Sequence, residues 1–386
     1  MPSGLGRYTE GEGHLATPRI TVGLPVYRGA DLIVKALNCL QQQTFGNFEA
    51  IISVDGNDGE TAEACRPFLS DPRFRMVVHP ERLDWVGNFN WLLQRDLKEF
   101  FCYRQHDDTT APEFFEVLLG VADREPHAAA IYCDCQMIGG RNDIEIFPSI
   151  RGDPLDRMFQ YTARLPYVGP PVPLRGLIRS AAIRQAGLVR SDEFRAALQV
   201  LGWLGSLLQW GNFRRVPKPL YYRLDHSRSY TREYWRGAVA QAWTTLFTGV
   251  LDAAMRVCRT PEERLFFQQT VLDRLIAYPP FRESNETISP EQLVAECLER
   301  LKYEGNTHLL NVNEFPSILK DLQCRVDEIR TVERSRSRLG RAISQIKQRY
   351  RFAKVIYPRS PMRRVSYQIR HMVEMLGKLR KVLLPK

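Results

Sequence analysis

Residues 20–59 read ITVGLPVYRGADLIVKALNCLQQQTFGNFEAIISVDGNDG, a pattern that predicts a strand, a helix and a second strand. The first run, Ile20–Pro25, is short and apolar and ends at a proline, as a buried parallel strand does. Apolar residues then recur at helical spacing over Ala30–Gln42, and a second apolar run, Phe48–Val54, leads into a glycine-rich turn. This order is that of a βαβ unit, in which a helix joins two parallel strands.

Strand and helix patterns continue to alternate after this unit. Further strands are predicted at Phe74–Val78, Phe100–Gln105 and Ala129–Cys135. Helices are predicted near Glu60–Leu69, around Val86–Leu97 and from Pro112 onward. The alternation predicts an α/β class, with a Rossmann-like and mostly parallel sheet. Beyond Tyr234 the pattern becomes helical, without a strand signal of comparable strength.

The chain is therefore predicted to have four parts, which its 386 residues are long enough to hold. They are a flexible N-terminus over 1–17, an α/β domain over 18–233, a helical domain over 234–329 and a basic helical tail over 330–386. The tail carries 17 Lys+Arg and 2 Asp+Glu, whereas residues 1–329 carry 37 and 42. The net charge of +10 is thus a property of the tail alone.

Apolar residues recur at steps of three and four within this tail, so it is predicted to form two basic amphipathic helices. Helices of this kind bind anionic membrane surfaces. Nucleic acid is the disfavoured partner, because the body of the chain is mildly acidic and the apolar stripes suit lipid or self-packing better.

The cellular compartment of the protein and the redox state of its cysteines are predicted from motifs that the sequence lacks. No run approaches the ~18 consecutive apolar residues of a membrane span, and residues 1–17 lack the apolar core of a secretory signal. The eight cysteines contain no CxxC pair and no zinc spacing, so they are predicted to be reduced thiols. We predict a cytoplasmic protein, peripheral at the inner membrane face if the tail binds lipid.

The residues that follow the predicted strands are the candidates for chemistry, since ligands of α/β sheets collect at the carboxyl ends of strands. These residues are Pro25-Val26-Tyr27, Asp55 and His106-Asp107-Asp108. Two adjacent carboxylates after a buried strand can share a hard divalent cation that also binds phosphate oxygens. Thr110 and Glu113 have capping-box spacing and predict a helix start directly behind the acids.

Several separated segments carry a more specific pattern. They are residues 20–27, residues 43–56, Asn88, residues 106–112, residues 175–179 and residues 211–223. In this order they resemble the inverting family 2 glycosyltransferases of the GT-A fold, which move a sugar from a nucleotide-diphosphate donor. The resemblance covers roughly residues 18–232.

The resemblance implies roles for particular residues. Those implied to bind the donor nucleotide are Pro25, Val26, Tyr27, Asp55, Asn88, Gln105, Asp107 and Arg223. Those implied to hold Mn²⁺ or Mg²⁺ are Asp107, Asp108 and His226. The metal would bridge the diphosphate and stabilise the charge that develops on the leaving nucleotide.

The sequence departs from the family pattern at two places. The first acid of the family's DxD motif falls on Gln105, which implies an amide contact and weaker metal binding. Where the family has a catalytic Asp, this chain reads Gln199-Val200-Leu201, and none of these can take the proton of an acceptor hydroxyl. Asp192 and Glu193 lie upstream and are the candidate bases. The alternative is that they only cap the N-terminus of a helix.

The leading hypothesis is therefore a glycosyltransferase that acts on a polysaccharide, lipid-linked or other glycan acceptor, with inversion. Bacterial surface-polysaccharide synthesis at the membrane face would be its setting. The alternative is a degenerate module that binds nucleotide, or serves as a scaffold, without turnover. Kinase, dehydrogenase and hydrolase motifs are absent from the sequence. Homo-oligomerisation through the helical domain is left open.

Overall fold

The computed structural model describes residues 17–163, 172–190, 199–226 and 249–276, and all structural statements below refer to these residues. The basic tail lies outside them, as does most of the predicted helical domain. The predicted boundary near Tyr234 and the candidate bases Asp192 and Glu193 also fall outside the described residues.

One nine-stranded sheet organises the described residues, with helices packed against it. The strands are β1 Ile20–Val26, β2 Phe48–Val54, β3 Phe74–Val78, β4 Phe100–Tyr103, β5 Thr109–Thr110, β6 Ala128–Gly139, β7 Ile144–Glu145, β8 Leu177–Arg179 and β9 Asn212–Asp225. The helices are α1 Ala30–Gln41, α2 Gly59–Cys65, α3 Asp84–Leu93, α4 Phe114–Ala122, α5 Pro154–Thr162, α6 Ser180–Ala186, α7 Gln199–Leu207, α8 over 249–255 and α9 Pro261–Ile276. Short 3-10 turns lie at Arg66–Ser70 and Val172–Arg175.

The first half of the sheet is parallel and follows the predicted βαβ pattern. Its strand order is β3-β2-β1-β4, and every neighbouring pair in it is parallel. All seven residues of β1 are buried, which is why its sequence is almost continuously apolar. Because β1, β2 and β4 run in the same direction, the residues that follow them meet at one edge of the sheet.

The second half of the sheet is mixed. The strand β8 pairs antiparallel with both β4 and β6, and β9 pairs parallel with β6 over a long register. The two-residue strand β5 pairs antiparallel with β9. The long pairings are therefore parallel and the antiparallel ones are short, so the predicted α/β class with a mostly parallel sheet is confirmed.

The capping box predicted at Thr110 and Glu113 is wrong. Thr110 lies in β5, where it pairs with Tyr221, and its hydroxyl oxygen lies 3.2 Å from Gln43 Nε2. Helix α4 begins at Phe114, and the side chain of Glu113 at its N-cap makes no capping hydrogen bond. Thr110 pairs with β9 instead of capping α4, and the Phe115 amide in the first turn of α4 donates to Gln43 Oε1 at 3.2 Å.

The described part of the predicted helical domain packs onto the α/β domain. The rings of Phe159 in α5 and Phe266 in α9 have centroids 6.3 Å apart. Gly202 in α7 faces Gly249 in α8 so closely that a Cβ added at Gly202 would lie 2.9 Å from the Cα of Gly249. Among the helices that the structure describes, none has the length and apolar character needed to cross a membrane.

Candidate functional site

Asp107 and His226 meet at the carboxyl edge of the sheet. Asp107 follows β4 and His226 follows β9, and the Asp107 Oδ2 atom lies 3.0 Å from the His226 Nε2 atom. The other carboxylate oxygen of Asp107, Oδ1, is buried and has no hydrogen-bond partner among the described residues. A buried carboxylate oxygen without a donor is costly unless a ligand or cation satisfies it.

Asp108 is turned away from this pair and into the protein. Its side chain is 1% exposed and accepts hydrogen bonds from the Tyr221 hydroxyl at 2.8 Å and from the Leu224 amide at 3.0 Å. The Nε atom of Arg175 lies 3.6 Å from Asp108 Oδ2. Burial, together with the neighbouring charge of Asp107, raises the pKa of Asp108 to about 6, although Arg175 opposes this. The adjacent acids Asp107 and Asp108 thus have different surroundings.

Arginine side chains surround these acids. Arg175 is 4% exposed and donates from Nη2 to Gln105 Oε1 at 2.6 Å, so an amide accepts the bond at the position where the family pattern has an acid. Arg223 lies with its Nη1 atom 3.3 Å from Glu145 Oε1, and burial lowers the pKa of this guanidinium. Both arginines still carry their charge at neutral pH, since guanidinium groups do not deprotonate in proteins.

The fit of a divalent metal rests on Asp107 and His226. Asp107 Oδ1, which no described donor satisfies, and the His226 Nε2 atom, 3.0 Å from Oδ2 of the same carboxylate, form a donor pair that suits Mn²⁺ or Mg²⁺. The third predicted ligand, Asp108, uses its oxygens within the protein. In the part of the chain that the structure describes, no group of three His, Cys, Asp or Glu side chains is arranged to hold a metal by itself.

A cleft of about 620 Å³ opens at the ends of β1 and β2. It is lined by Tyr27, Arg28, Ala30, Asp31, Gly56, Asn57, Asp58, Gly59, Glu60 and Thr61. Arg28 and Asn57 have φ angles of 49° and 53°, in the left-handed region that residues other than glycine rarely adopt. Strained backbone of this kind clusters at ligand sites, where surrounding contacts hold it in place.

Beside this cleft, Tyr27 and Asp55 are linked by Arg82. The guanidinium carbon of Arg82 lies 3.4 Å from the centroid of the Tyr27 ring, and its Nε atom lies 3.8 Å from Asp55 Oδ2. Asp55 is 3% exposed and accepts a hydrogen bond from the Leu83 amide at 2.7 Å. Burial raises the pKa of the Asp55 carboxyl, and the Leu83 bond opposes this.

The other predicted donor residues near β2 are buried in the protein. Pro25 and Val26 lie within β1 and pair with Ser53 and Val54. Asn88 is 2% exposed, donates to the Ser53 carbonyl at 3.0 Å and accepts from the Ser53 hydroxyl at 2.5 Å. The structure therefore brings Asn88 to the backbone of β2 at Ser53, two residues before Asp55.

The network around Ser53 also fixes a proton on a histidine. Ser53 Oγ lies 2.8 Å from His79 Nε2, and the Ser53 hydroxyl gives its only proton to Asn88. His79 must therefore donate from Nε2, and the ring is further held against Trp91, with centroids 4.8 Å apart. Burial lowers the pKa of His79, which favours the neutral ring. This support of β2 was not expected from the sequence.

The cleft and the Asp107 segment are in direct contact. Gly29 starts the turn into α1, and a Cβ added there would lie 2.6 Å from the His106 ring. A side chain at position 29 would therefore push the two parts of the edge away from each other. The residues predicted after β1, β2 and β4 thus lie along one continuous edge of the sheet, as their parallel strands require.

Two sequence predictions concern the catalytic base. Asp192 and Glu193 lie in residues 191–198, outside the described residues, so their role stays a prediction. Gln199 and Val200 are 7% and 1% exposed, and neither side chain carries an acid. The positions where the family pattern has a base therefore do not supply one.

Sequence reasoning missed Tyr221 and Arg82, which contact the predicted site residues Asp108 and Asp55. Tyr221 lies inside the matched segment 211–223, so its place in the site could have been suspected. Its hydrogen bond to Asp108 joins residues 113 positions apart, and a local sequence pattern does not predict such a contact.

Comparison with known proteins shows what the first part of the chain is similar to. Residues 21–164 match the family described as Glycosyl transferase family 2. An uncharacterized protein, y4gI of Sinorhizobium fredii, is 26% identical over 179 residues, which are 45% of this chain and 18% of that protein. An uncharacterized glycosyltransferase of Rickettsia felis is 25% identical over 109 residues, which are 28% of this chain and 18% of that protein. The chain therefore spans under a fifth of each of these relatives.

Similar structures have been solved. The crystal structure of S. aureus TarS 1–349 in complex with UDP covers 83% of this chain and 92% of its own, with a TM-score of 0.58 and 14% identity. The complex of the same TarS fragment with UDP-GlcNAc covers 82% and 91%, with a TM-score of 0.50 and 16% identity. At such identities the likeness establishes the fold. The α/β domain therefore has the GT-A fold, and residues 21–164 match the model of glycosyl transferase family 2.

Proposed function

We propose that the chain moves a sugar from a nucleotide-diphosphate donor to a polysaccharide, lipid-linked or other glycan acceptor, with inversion at the sugar carbon. One observation carries the proposal. Asp107 presents a buried carboxylate oxygen that has no hydrogen-bond partner among the described residues, beside His226 and next to a cleft at the carboxyl edge of a domain that matches family 2. The TarS fragment has been solved with UDP and with UDP-GlcNAc, which supports a donor of this chemical class.

The donor would extend along the edge between the two parts of the site. Tyr27 and Asp55 would receive the nucleobase and ribose, because an aromatic face and a buried carboxylate suit a flat, hydrogen-bonding ligand. Arg82 covers the Tyr27 ring at 3.4 Å, so this guanidinium would either move aside or stack on the base. The diphosphate would then point toward Asp107, His226 and the buried arginines.

Asp107 and His226 would hold Mn²⁺ or Mg²⁺ together with the diphosphate. When bound, the metal would stabilise the negative charge that develops on the leaving nucleotide. Arg175 and Arg223 add fixed positive charge close by, and Gln105 takes its hydrogen bond from Arg175. Because an amide replaces an acid there, less negative charge opposes the diphosphate than in the usual motif.

Inversion requires a carboxylate that takes the proton of the acceptor hydroxyl while its oxygen attacks the sugar carbon and the nucleotide leaves. We assign this base to Asp192, with Glu193 as second choice. Both follow Arg190, whose guanidinium is paired with Asp252 at 2.9 Å. The substitution Asp192→Asn would then abolish turnover while leaving donor binding intact.

The setting that we propose is bacterial surface-polysaccharide synthesis on the cytoplasmic side of the membrane. The support is the tail over residues 330–386, with 17 Lys+Arg against 2 Asp+Glu. A basic amphipathic segment gains ~1 kcal/mol per well-placed cation at an anionic lipid surface. The protein would then be peripheral and would meet lipid-linked acceptors at that surface.

A turnover assay tests the proposal. The full chain is incubated with a panel of nucleotide sugars and Mn²⁺, and nucleotide release and the anomeric configuration of the product are followed. We expect release from one donor, an inverted product and no release from Asp192→Asn. Donor binding without any release, with or without added glycan acceptors, would instead favour the non-catalytic module, which the missing acid at Val200 motivates.

A further inference from the structure

Arg104 lies directly before Gln105 and is fully buried. None of its guanidinium nitrogens has a hydrogen-bond partner within the described ranges. Its guanidinium carbon instead lies 5.1 Å from the ring centroid of Tyr221 and 5.2 Å from that of Phe114. The cation thus lies against two aromatic rings, and no acceptor among the described residues bonds to it.

A purely structural role does not account for this residue. A buried charge without a paired acceptor is costly, and an apolar side chain of similar volume avoids that cost. Arg157 shows what a structural buried arginine looks like in the same protein. It is 9% exposed and donates to the carbonyls of Leu208 at 2.6 Å, Gly152 at 2.6 Å and Gln209 at 3.1 Å.

The ring beneath Arg104 connects it to the acids of the site. Tyr221 is fully buried, and its hydroxyl donates to Asp108 Oδ2 at 2.8 Å. Arg175 also lies near this ring, with its guanidinium carbon 5.9 Å from the centroid. A cation against an aromatic face is attracted by the ring and draws electron density from it, so the phenol becomes a better donor.

We propose that Arg104 is a positioning residue of the donor site, which acts through Tyr221 to hold Asp108 and thereby orients Asp107 toward His226. Asp107 and Asp108 are consecutive, so fixing the Asp108 carboxylate fixes the backbone that carries Asp107. This proposal rests on the proposed function, because it assigns Arg104 a part in binding the donor.

The test compares stability with donor affinity in matched variants of the full chain. The probes are UDP, GDP and dTDP, each with Mn²⁺. For Arg104→Met we expect a Tm equal to or above that of the wild type and a Kd at least tenfold weaker. Arg104→Lys keeps a cation over the ring and is expected to restore most of the affinity. Arg157→Met is expected to lower the Tm and leave Kd unchanged.

Wild-type affinity in a stable Arg104→Met would overturn the proposal, and so would a loss of affinity only in proportion to a lowered Tm. If the wild type binds none of the probes, the proposed function fails by itself. A double-mutant cycle then still decides the contact, with Arg104→Met and Tyr221→Phe scored by their unfolding constants. We expect the change in the unfolding constant of the double variant to differ by about tenfold from the product of the changes in the two single variants. A product that holds within about twofold would show that Arg104 does not act through the Tyr221 hydroxyl.

Discussion

At the scale of single residues, the consecutive acids Asp107 and Asp108 have different contacts. Asp107 pairs with His226 through Oδ2 and has a second oxygen, Oδ1, that no described donor satisfies, whereas Asp108 is bound by Tyr221 and Leu224 within the protein. The sequence predicted both as metal ligands because an acidic pair after a buried strand looks symmetric. It could not distinguish them, since the partners of Asp108 come from β9, more than a hundred residues away.

The buried state of Asp108 predicts a specific dependence of stability on pH. Its pKa in the folded protein is raised to about 6 from 3.8, so between these values the folded state holds a proton that the unfolded state releases. The free energy of unfolding of the wild type, relative to Asp108→Asn, should therefore fall as pH rises from about 4 to about 6. The fall is ~1.4 kcal/mol for each unit of raised pKa. Urea unfolding of both proteins across this range measures it, and a difference that rises or stays flat would refute the assignment.

A comparison of Asn88 with Ser53 tests whether Asn88 contacts the donor directly. Both polar atoms of the Asn88 amide bond to Ser53, so we expect Asn88→Ala and Ser53→Ala to weaken donor binding to a similar extent. Each should also cost about 1–3 kcal/mol of stability, because a buried polar partner is left unsatisfied. Titrating both variants with the same nucleotide checks this. Lost affinity in Asn88→Ala alone would mean that Asn88 contacts the donor directly.

At the scale of elements, prediction succeeded where the pattern is local. The bounds of β2 and β3 agree with the predicted runs, because short apolar strands in a parallel sheet are delimited by turn residues. The failures concern strands that depend on distant partners. Thr110 was predicted as a cap and instead joins β5, and β9 was not predicted, since its pairing with β6 spans a long separation in the chain.

The contact between α7 and α8 gives a prediction at this scale. A Cβ at Gly202 would lie 2.9 Å from the Cα of Gly249, so Gly202→Ala should separate the helices and cost about 1–3 kcal/mol. Gly120 lies within α4, and the nearest atom to its added Cβ is an Arg124 side-chain nitrogen at 3.9 Å. Gly120→Ala should therefore be neutral or stabilising by about 0.5–1 kcal/mol. Thermal unfolding of the two variants measures this contrast, and equal effects would argue against the close helix contact.

At the scale of the whole molecule, charge is divided between an acidic body and a basic tail. Residues 1–329 carry 42 acidic and 37 basic side chains, while the last 57 carry 17 basic and 2 acidic ones. The α/β class and the order of the family segments could be predicted from sequence. The identity of sugar and acceptor could not, because specificity depends on pocket shape and on a few placed polar groups.

The tail gives a prediction about location. The full chain should bind vesicles that contain anionic lipid, with an affinity that falls as salt rises, and should ignore neutral vesicles. A protein truncated after Ile329 should lose this binding and keep its affinity for nucleotide. Vesicle co-sedimentation over a salt series measures the effect, with duplex DNA and single-stranded RNA as competitors. Preference for nucleic acid over lipid would assign the tail to a different partner.

The most direct test of the account is donor binding by the whole protein. Thermal unfolding and calorimetry are carried out with a panel of nucleotide sugars, with Mn²⁺ or with EDTA. The variant Asp107→Ala is compared with Asp96→Ala, which removes an exposed acid that pairs with Lys98 at 2.9 Å. One donor at a hundred times its Kd should stabilise the wild type and Asp96→Ala by about 2.7 kcal/mol. That stabilisation should vanish with EDTA and in Asp107→Ala. No stabilisation of the folded wild type by any donor would contradict the assignment of this edge of the sheet as a nucleotide-sugar site.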